Sequence, residues 1–340
     1  PFQRQGNAYV SMDNWKRRLM ALREANNTAA WAISEYIDGT PSAVTESLIR
    51  EDDPHGSLPE ESLYAAFMAG FSGVPEDDQV ISDYFRDSVK VLHAADYKNN
   101  AYMCAISFPE VSTAHWRLTH YAYKPYEAFI RDDIDIDPYL REVPQVGYFR
   151  ERFHYPAVEQ DGREWMAVKP SEIATMAPAL TQISGRVVTF GLGLGYFAFM
   201  ASEKPEVSEI DVVERDPEVI DLFTRYILPQ FPNRHKVRII RSDAFDFLRN
   251  RMLQKEYEYA FVDLWHDTSD GLELYLRAKS EESRLKASGA DTEFLYWVEK
   301  SLLSAYRWTR FEEILNACSS EEEVFIRLSD SALRSSLNNY

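Results

Sequence analysis

The glycines of residues 191–195 form the clearest pattern in the sequence that could serve chemistry. The chain reads Gly191-Leu-Gly193-Leu-Gly195 directly after an apolar segment, and we call these residues the glycine loop. A glycine-rich turn between a strand and a helix lets the backbone approach a ligand closely at the helix N-terminus. The dinucleotide pattern G-x-G-x-x-G requires its third glycine at position 196, where this chain has Tyr196. The glycine loop alone therefore stays open between a ligand-binding turn and an ordinary tight turn.

Acidic residues follow the next three apolar segments. Glu214, Asp243 and Asp263 each stand where one of these segments ends. A carboxylate at the position of Glu214 can accept two hydrogen bonds from a ribose diol. Ligands of open α/β sheets bind at the carboxyl ends of the strands, which is where the glycine loop and the three acids are expected. Each of the four apolar segments ends in the glycine loop or in an acid, and this regular pattern favours a single binding site over four unrelated turns.

The four apolar segments are predicted to be strands, and helical patterns separate them. The strands are expected at residues 186–190, 209–213, 236–240 and 259–262. Strands that alternate with helices indicate parallel, right-handed crossover units and therefore a doubly wound, mostly parallel α/β sheet. No convincing strand follows Asp267, and residues 292–308 are predicted to be a helix, so the sheet is expected to be shortened.

The chain is predicted to divide into three parts: a mainly helical N-terminal domain (1–138), a linking β-hairpin (139–170), and a domain that holds the parallel sheet and a helical C-terminal extension (171–340). The hairpin is expected between strands at residues 146–155 and 165–168. Its tight turn is predicted at Asp161-Gly162, because this dipeptide readily adopts the left-handed backbone of a hairpin turn.

The composition argues against several classes of protein. The chain has 340 residues, with 55 acidic against 37 basic residues, and acids outnumber bases in both halves, so a nucleic-acid partner is not expected. Cys104 and Cys318 match no zinc or C-x-x-C spacing, and no cluster of His, Cys and acids has metal-ligand spacing. The longest uncharged apolar stretch, residues 187–202, is too short for a membrane helix. With no secretory signal visible, we expect a cytoplasmic protein without metal or membrane partners.

Residues 171–267 resemble a class I S-adenosylmethionine-dependent methyltransferase, and the hairpin placed before them resembles the spermidine-synthase-like branch of that superfamily. The resemblance implies a Rossmann-like sheet and S-adenosylmethionine as cofactor, with the glycine loop under its methionine portion. It also implies that Glu214 binds the ribose hydroxyls and that Asp243, through its carboxylate, and Ala244, through its backbone N–H, recognise adenine. Asp263 is then the residue that faces the reacting centre.

Two departures from the family pattern bear on the reaction. Many class I methyltransferases have an acid two residues before the first glycine, where this chain has Thr189; the spermidine-synthase-like branch also lacks that acid. Members of the branch that make polyamines carry Asp-Ser-Ser-Asp-Pro after the fourth strand, whereas this chain reads Asp263-Leu-Trp-His266-Asp267. One of the carboxylates that would hold a polyamine is therefore missing, which weakens an aminopropyl-transfer function.

Methyl transfer from a sulfonium is an in-line displacement with a good leaving group. The protein mainly has to align the reactants and exclude water. A general base is needed only when the acceptor must lose a proton early. Asp263 and His266 are the candidate catalytic residues, since both follow the fourth strand.

The resemblance therefore implies an S-adenosylmethionine-dependent methyltransferase, and we expect it to act on a small-molecule acceptor. One alternative is an aminopropyltransferase that uses decarboxylated S-adenosylmethionine. Another is a nucleotide-binding protein without catalytic turnover. A homodimer is kept as an option, because the sequence does not fix the oligomeric state.

Overall fold

The computed structural model describes residues 14–337. Within this range the chain forms 14 α-helices and 14 β-strands, and the strands belong to four sheets. The fold is a mixed α/β architecture, as the sequence predicts at this level.

Residues 14–105 are mainly helical. They contain α1 (Asn14–Gly39), α2 (Glu46–Asp52), α3 (Glu60–Phe71), α4 (Gln79–Ser88), strand β1 (Val89–Leu92), α5 (Ala94–Lys98) and α6 (Ala101–Ala105). Side-chain caps begin several of these helices: Thr45 accepts a hydrogen bond from the N–H of Leu48, and Asp78 accepts one from that of Ile81.

Eight strands follow in residues 111–167. They are β2 (Val111–Ser112), β3 (Trp116–Tyr123), β4 (Phe129–Ile130), β5 (Asp135–Ile136), β6 (Glu142–Val143), β7 (Val146–Phe149), β8 (Phe153–Gln160) and β9 (Arg163–Ala167). β8 and β9 pair as an antiparallel hairpin, and Asp161 and Gly162 at its turn have φ of 51° and 81°. The predicted turn is thus confirmed. The predicted first strand is wrong in part, because β7 leaves the hairpin and pairs in parallel with β1, far away in the sequence.

The remaining residues alternate strands with helices. They form α7 (Pro170–Gln182), β10 (Gly185–Phe190), α8 (Tyr196–Glu203), β11 (Val207–Glu214), α9 (Pro217–Leu222), a π-helix (Phe223–Ile227), β12 (Val237–Arg241), α10 (Ala244–Asn250), β13 (Tyr259–Val262), α11 (Thr268–Ala287), β14 (Glu293–Tyr296), α12 (Glu299–Ala317), α13 (Glu321–Leu328) and α14 (Asp330–Leu337). Short 3-10 turns lie at Leu228–Gln230, Arg234–Lys236 and Met252–Gln254.

The five last strands form one parallel sheet in the order β12-β11-β10-β13-β14. The four predicted strands are all present. The expectation that no strand follows them is wrong: β14 pairs with β13 inside the stretch predicted to be a helix. The N–H groups of Glu293 and Trp297 donate to the carbonyls of Glu258 and Val262, at 3.0 Å each. β14 is only four residues long and runs almost directly into α12, so its pairing with β13, rather than any local pattern, defines it as a strand.

Helices cover both faces of this sheet. Because side chains alternate along a strand, successive residues enter different cores. One core takes Val187, Ile210, Val212 and Phe261 together with residues of α7, α8 and α9. The other takes Val188, Phe190, Val213, Ala260 and Val262 together with residues of α10, α11 and α12.

The first helix packs against the C-terminal helices. Leu19 shares a buried cluster with Phe311 and Leu315, and Arg18 forms an ion pair of 2.6 Å with Glu321. The N-terminal helical part and the C-terminal extension therefore contact each other directly. None of the helices in residues 14–337 combines the length and the apolar character that a membrane crossing requires.

Candidate ligand site at the carboxyl edge of the parallel sheet

The glycine loop connects β10 to α8 with three glycines in the left-handed backbone region. Their φ values are 101° at Gly191, 50° at Gly193 and 75° at Gly195. A Cβ atom on Gly191 would collide with the carbonyl oxygen of Asp263, and one on Gly193 would collide with the sulfur of Met166 on β9. These glycines are therefore required both by backbone conformation and by close approach of neighbouring chain. The β8–β9 hairpin packs directly on the loop.

Glu214 ties the glycine loop to the end of β11. Its Oε2 accepts a hydrogen bond from the N–H of Leu192 at 3.2 Å. Its Oε1 accepts from the N–H groups of Arg215 and Asp216, at 2.7 and 2.8 Å. The structure thus brings Glu214 and the glycine loop together, as predicted from their positions at neighbouring strand ends.

Asp243 follows β12 and begins α10. Its Oδ1 accepts hydrogen bonds from the N–H groups of Phe245 and Asp246, at 2.9 and 3.1 Å. The cap uses Oδ1 of Asp243 and not Oδ2, and Asp243 is an exposed residue. The cap also does not use the N–H of Ala244, the first residue of the helix. An acceptor and a donor therefore stand side by side at this strand end, while the cap alone already gives Asp243 a structural role.

Asp263 faces a small internal cavity together with Glu172 of α7. The cavity encloses about 20 Å³, space for one group the size of a water molecule. Thr189 and Gly191 line it as well. Oδ1 of Asp263 and Oε2 of Glu172 are buried and have no hydrogen-bond partner in residues 14–337. Two carboxylates with unused acceptor atoms thus share one cavity.

Burial changes the protonation of both acids. It raises the pKa of Glu172 to about 7, because desolvation outweighs the opposing charge of Lys169. Burial also raises the pKa of Asp263 well above its ordinary range, and the charge of Glu172 adds to the effect. The charge of Lys169 offsets only part of the effect of burial on Glu172, and its Nζ forms an ion pair with Glu164 at 2.8 Å. The cavity therefore favours either bound protons or a bound cation.

His266 lies outside this cavity. Its side chain is exposed, with Nδ1 3.8 Å from an oxygen of Asp267, and its ring stands edge-on to that of Trp165 at 5.9 Å between centroids. Asp263 lines the cavity and His266 does not, so the structure does not bring the two predicted catalytic residues to the same cavity. Trp265, the second residue after Asp263, packs in the core against Tyr275.

Glu172 and Met166 line the cavity, and the sequence did not reveal either of them. Glu172 stands in the first turn of α7, where an acid is common because its negative charge interacts favourably with the helix dipole. Its signal is its spacing: Glu172, Met176 and Ala179 lie on the one buried face of α7, where a carboxylate needs a partner. Trp165, with an exposed fraction of 47%, stands edge-on to Trp116 and adds a second aromatic ring beside His266.

Neither a protein-family model nor a curated protein matches this chain. The arrangement itself offers four features at the carboxyl ends of adjacent strands. These are a glycine loop, an acid that holds it, an acceptor and a donor at the start of a helix, and Asp263, whose buried Oδ1 lies at the cavity that Glu172 of α7 also lines. Together they can bind a ligand that has hydroxyl groups, a polar aromatic edge and a positive charge.

Proposed function

We propose that the protein is an S-adenosylmethionine-dependent methyltransferase that acts on a small-molecule acceptor. The sheet is then a Rossmann-like, doubly wound sheet of five strands. Its strand order, with the first strand of the unit (β10) in the centre and helices on both faces, supports this assignment. The order reverses at β10, and the glycine loop lies at the carboxyl end of that strand, where such sheets bind their ligands.

One observation carries the proposal: the glycine loop, Glu214 and Asp243 follow β10, β11 and β12, three neighbouring strands of one parallel sheet. The loop would lie under the methionine portion of S-adenosylmethionine. Glu214 would accept hydrogen bonds from the ribose hydroxyls. Asp243 and the N–H of Ala244 would bind the adenine edge, which needs an acceptor and a donor.

The cavity fits a ligand with positive charge. S-adenosylmethionine supplies an electrophilic methyl group on a cationic sulfur. The buried oxygens of Asp263 and Glu172 have no partner within residues 14–337, and an unpaired buried carboxylate is costly. Asp263 also lies at the end of β13, beside the glycine loop, where a side chain can orient an acceptor.

An aminopropyltransferase remains the second candidate, because one observation now favours it. The sequence lacks the second acid of the polyamine-making pattern after β13. Glu172 supplies a second carboxylate to the cavity of Asp263 from a different element, α7. Two carboxylates are what an acceptor or a donor with ammonium groups requires.

Calorimetry followed by product mass analysis tests these functions. S-adenosylhomocysteine should bind to the purified protein, and NAD should bind negligibly, since Tyr196 replaces the third glycine of the dinucleotide pattern. Incubation with acceptor panels should then add one methyl group from S-adenosylmethionine. A gain of one aminopropyl group from the decarboxylated cofactor would assign the second function, and binding without any turnover would assign a nucleotide-binding protein. Tight NAD binding with no response to S-adenosylhomocysteine would overturn the proposal.

A further inference from the structure

We propose that Glu172 and Asp263 together form a binding site for one alkylammonium group. Both residues line the same cavity. Glu172 has an exposed fraction of only 8%, and one oxygen of each carboxylate is buried without a hydrogen-bond partner in the described chain. Within the described residues, no hydrogen bond to Oε2 of Glu172 or to Oδ1 of Asp263 holds either side chain in place.

A cation is the partner that this geometry lacks. Glu172 is buried, and Asp263 is half-buried with its Oδ1 buried. The two carboxylates repel each other and are desolvated, so the pair is costly unless a proton or a cation lies between them. Lys169, whose charge partly opposes the effect of burial on Glu172, is hydrogen-bonded to Glu164 on β9. Two acids and no basic residue line the cavity within the described chain.

An ammonium group fits better than a metal ion. Hard metal ions such as Ca²⁺ and Mg²⁺ take six or more oxygen ligands. Here the other side chains around the two acids are largely apolar, among them Met166, Met176 and Phe197. Such a lining suits the methylene groups of an alkyl chain, and about 20 Å³ of space accepts one ammonium head.

The position of the cavity points to two sources of the ammonium group. Gly191 and Leu192 of the glycine loop border it. The group is then either the amino group on the tail of the adenosyl cofactor or the amine of an acceptor. The choice between a cofactor amine and an acceptor amine rests on the proposed function, whereas the ammonium site itself rests on the two carboxylates.

The charged groups that face Glu172 determine how binding depends on pH. They are Asp263 after β13, Lys169 before α7 and Glu164 on β9. Burial keeps the pKa of Glu172 at about 7 in the free protein, so an ammonium ligand must displace a proton below neutral pH. Its affinity should therefore rise with pH by up to about tenfold per pH unit below pH 7. The raised pKa of Asp263 adds to this rise.

Calorimetry with three probes tests the site. Two are adenosyl thioethers: 5′-methylthioadenosine, which has no ammonium group, and 5′-(3-aminopropylthio)-5′-deoxyadenosine, which has one. The third is 1,4-diaminobutane, added to protein saturated with 5′-methylthioadenosine. The variant is Glu172→Gln, which keeps the shape of the side chain and removes its charge. Glu206→Gln is the matched control, since this exposed glutamate lies at the opposite edge of the sheet, before β11.

If the site holds the cofactor tail, Glu172→Gln should weaken the binding of the aminopropyl thioether about 10-fold or more at pH 8. The affinity for the methyl thioether should stay unchanged. If it holds an acceptor, the same variant should weaken 1,4-diaminobutane by a similar factor. Asp263→Asn should reproduce the effect, and Glu206→Gln should not. The proposal is wrong if Glu172→Gln, shown to be folded, binds both ammonium probes as the parent protein does.

The proposed function can fail independently. If neither adenosyl thioether binds the parent protein, the methyltransferase assignment falls. Titration of 1,4-diaminobutane into the free protein then still tests the carboxylate pair: loss of its binding in Glu172→Gln supports the site, and no binding to the parent protein overturns it.

Discussion

Replacing Glu172 by glutamine should stabilise the protein above neutral pH. The side chain is buried on α7, and its pKa of about 7 in the folded protein lies above its ordinary value of 4.5. Between these two values the folded chain keeps a proton that the unfolded chain releases. The folded state therefore binds more protons, and the free energy of unfolding falls as the pH rises from about 4.5 to about 7. Above pH 7 this loss is complete.

The size of the effect follows from the pKa difference. At about 1.36 kcal/mol per pKa unit, the interval from 4.5 to about 7 corresponds to about 3 kcal/mol of stability lost at pH 8. The amide that replaces the carboxyl group in Glu172→Gln carries no charge at any pH, so the variant avoids this loss. Asp263 adds to the gain, because the charge of Glu172 raises its pKa further; removing that charge makes ionisation of Asp263 less costly.

Urea unfolding at pH 5 and pH 8, followed by tryptophan fluorescence, measures the effect. At pH 5 the parent protein and Glu172→Gln should have nearly the same free energy of unfolding, since Glu172 is then protonated. At pH 8 the variant should be more stable by up to about 3 kcal/mol. Glu76→Gln, the same change at an exposed turn, should follow the parent protein at both pH values. A variant that loses as much stability as the parent between pH 5 and pH 8 would refute the reasoning.

Four further single substitutions test the rest of the site. Glu214→Ala should weaken S-adenosylhomocysteine about 10- to 150-fold in calorimetry, because a charged hydrogen bond contributes about 1.5–3 kcal/mol; unchanged affinity in a folded variant would remove its ribose role. Gly193→Ala should lower the free energy of unfolding by about 1–3 kcal/mol, since its methyl group meets Met166, and adding Met166→Ala should restore part of the loss. Asp263→Asn should strongly reduce turnover at saturating cofactor. His266→Asn should reduce it, by about 10²–10⁴-fold, only if the acceptor must lose a proton in the transition state, and full activity of both variants would show that the loop after β13 is not catalytic.

The four central strands could be predicted from the sequence because their signals are local. Each combines a short apolar run with a glycine or an acid at its end, and a helical pattern follows. Asp243 gives two local signals at once. Its carboxylate stands at the end of a predicted strand, and it also caps the helix that follows, α10. Local signals of this kind identify the elements. Parallel, right-handed crossover units between them place the glycine loop, Glu214 and Asp243 at the carboxyl ends of strands of one sheet.

β7 and β14 could not be predicted in the same way, because distant partners define them. β7 pairs with β1, so that Val146 lies opposite Val89. β14 gains its backbone hydrogen bonds from β13 and from Glu258 before it. A short apolar or aromatic run, such as Phe294-Leu-Tyr296 in β14, is compatible with a strand or with one turn of a helix. Only the sheet edge that is available in the folded chain decides between them.

Glu172 shows why the site extends beyond what its motif contains. An acid in the first turn of a helix has an ordinary explanation at the surface, and nothing adjacent to it in sequence removes that explanation. Its burial arises because α7 packs on the face of the sheet that also carries Val187 and Phe261, which turns the first turn of the helix toward Asp263. On the other side of the cavity, Met166 comes from the hairpin and contacts Gly193. Residues on both sides of the predicted boundary at 170 therefore enclose the two carboxylates, and the hairpin is part of the site as well as the link that precedes it.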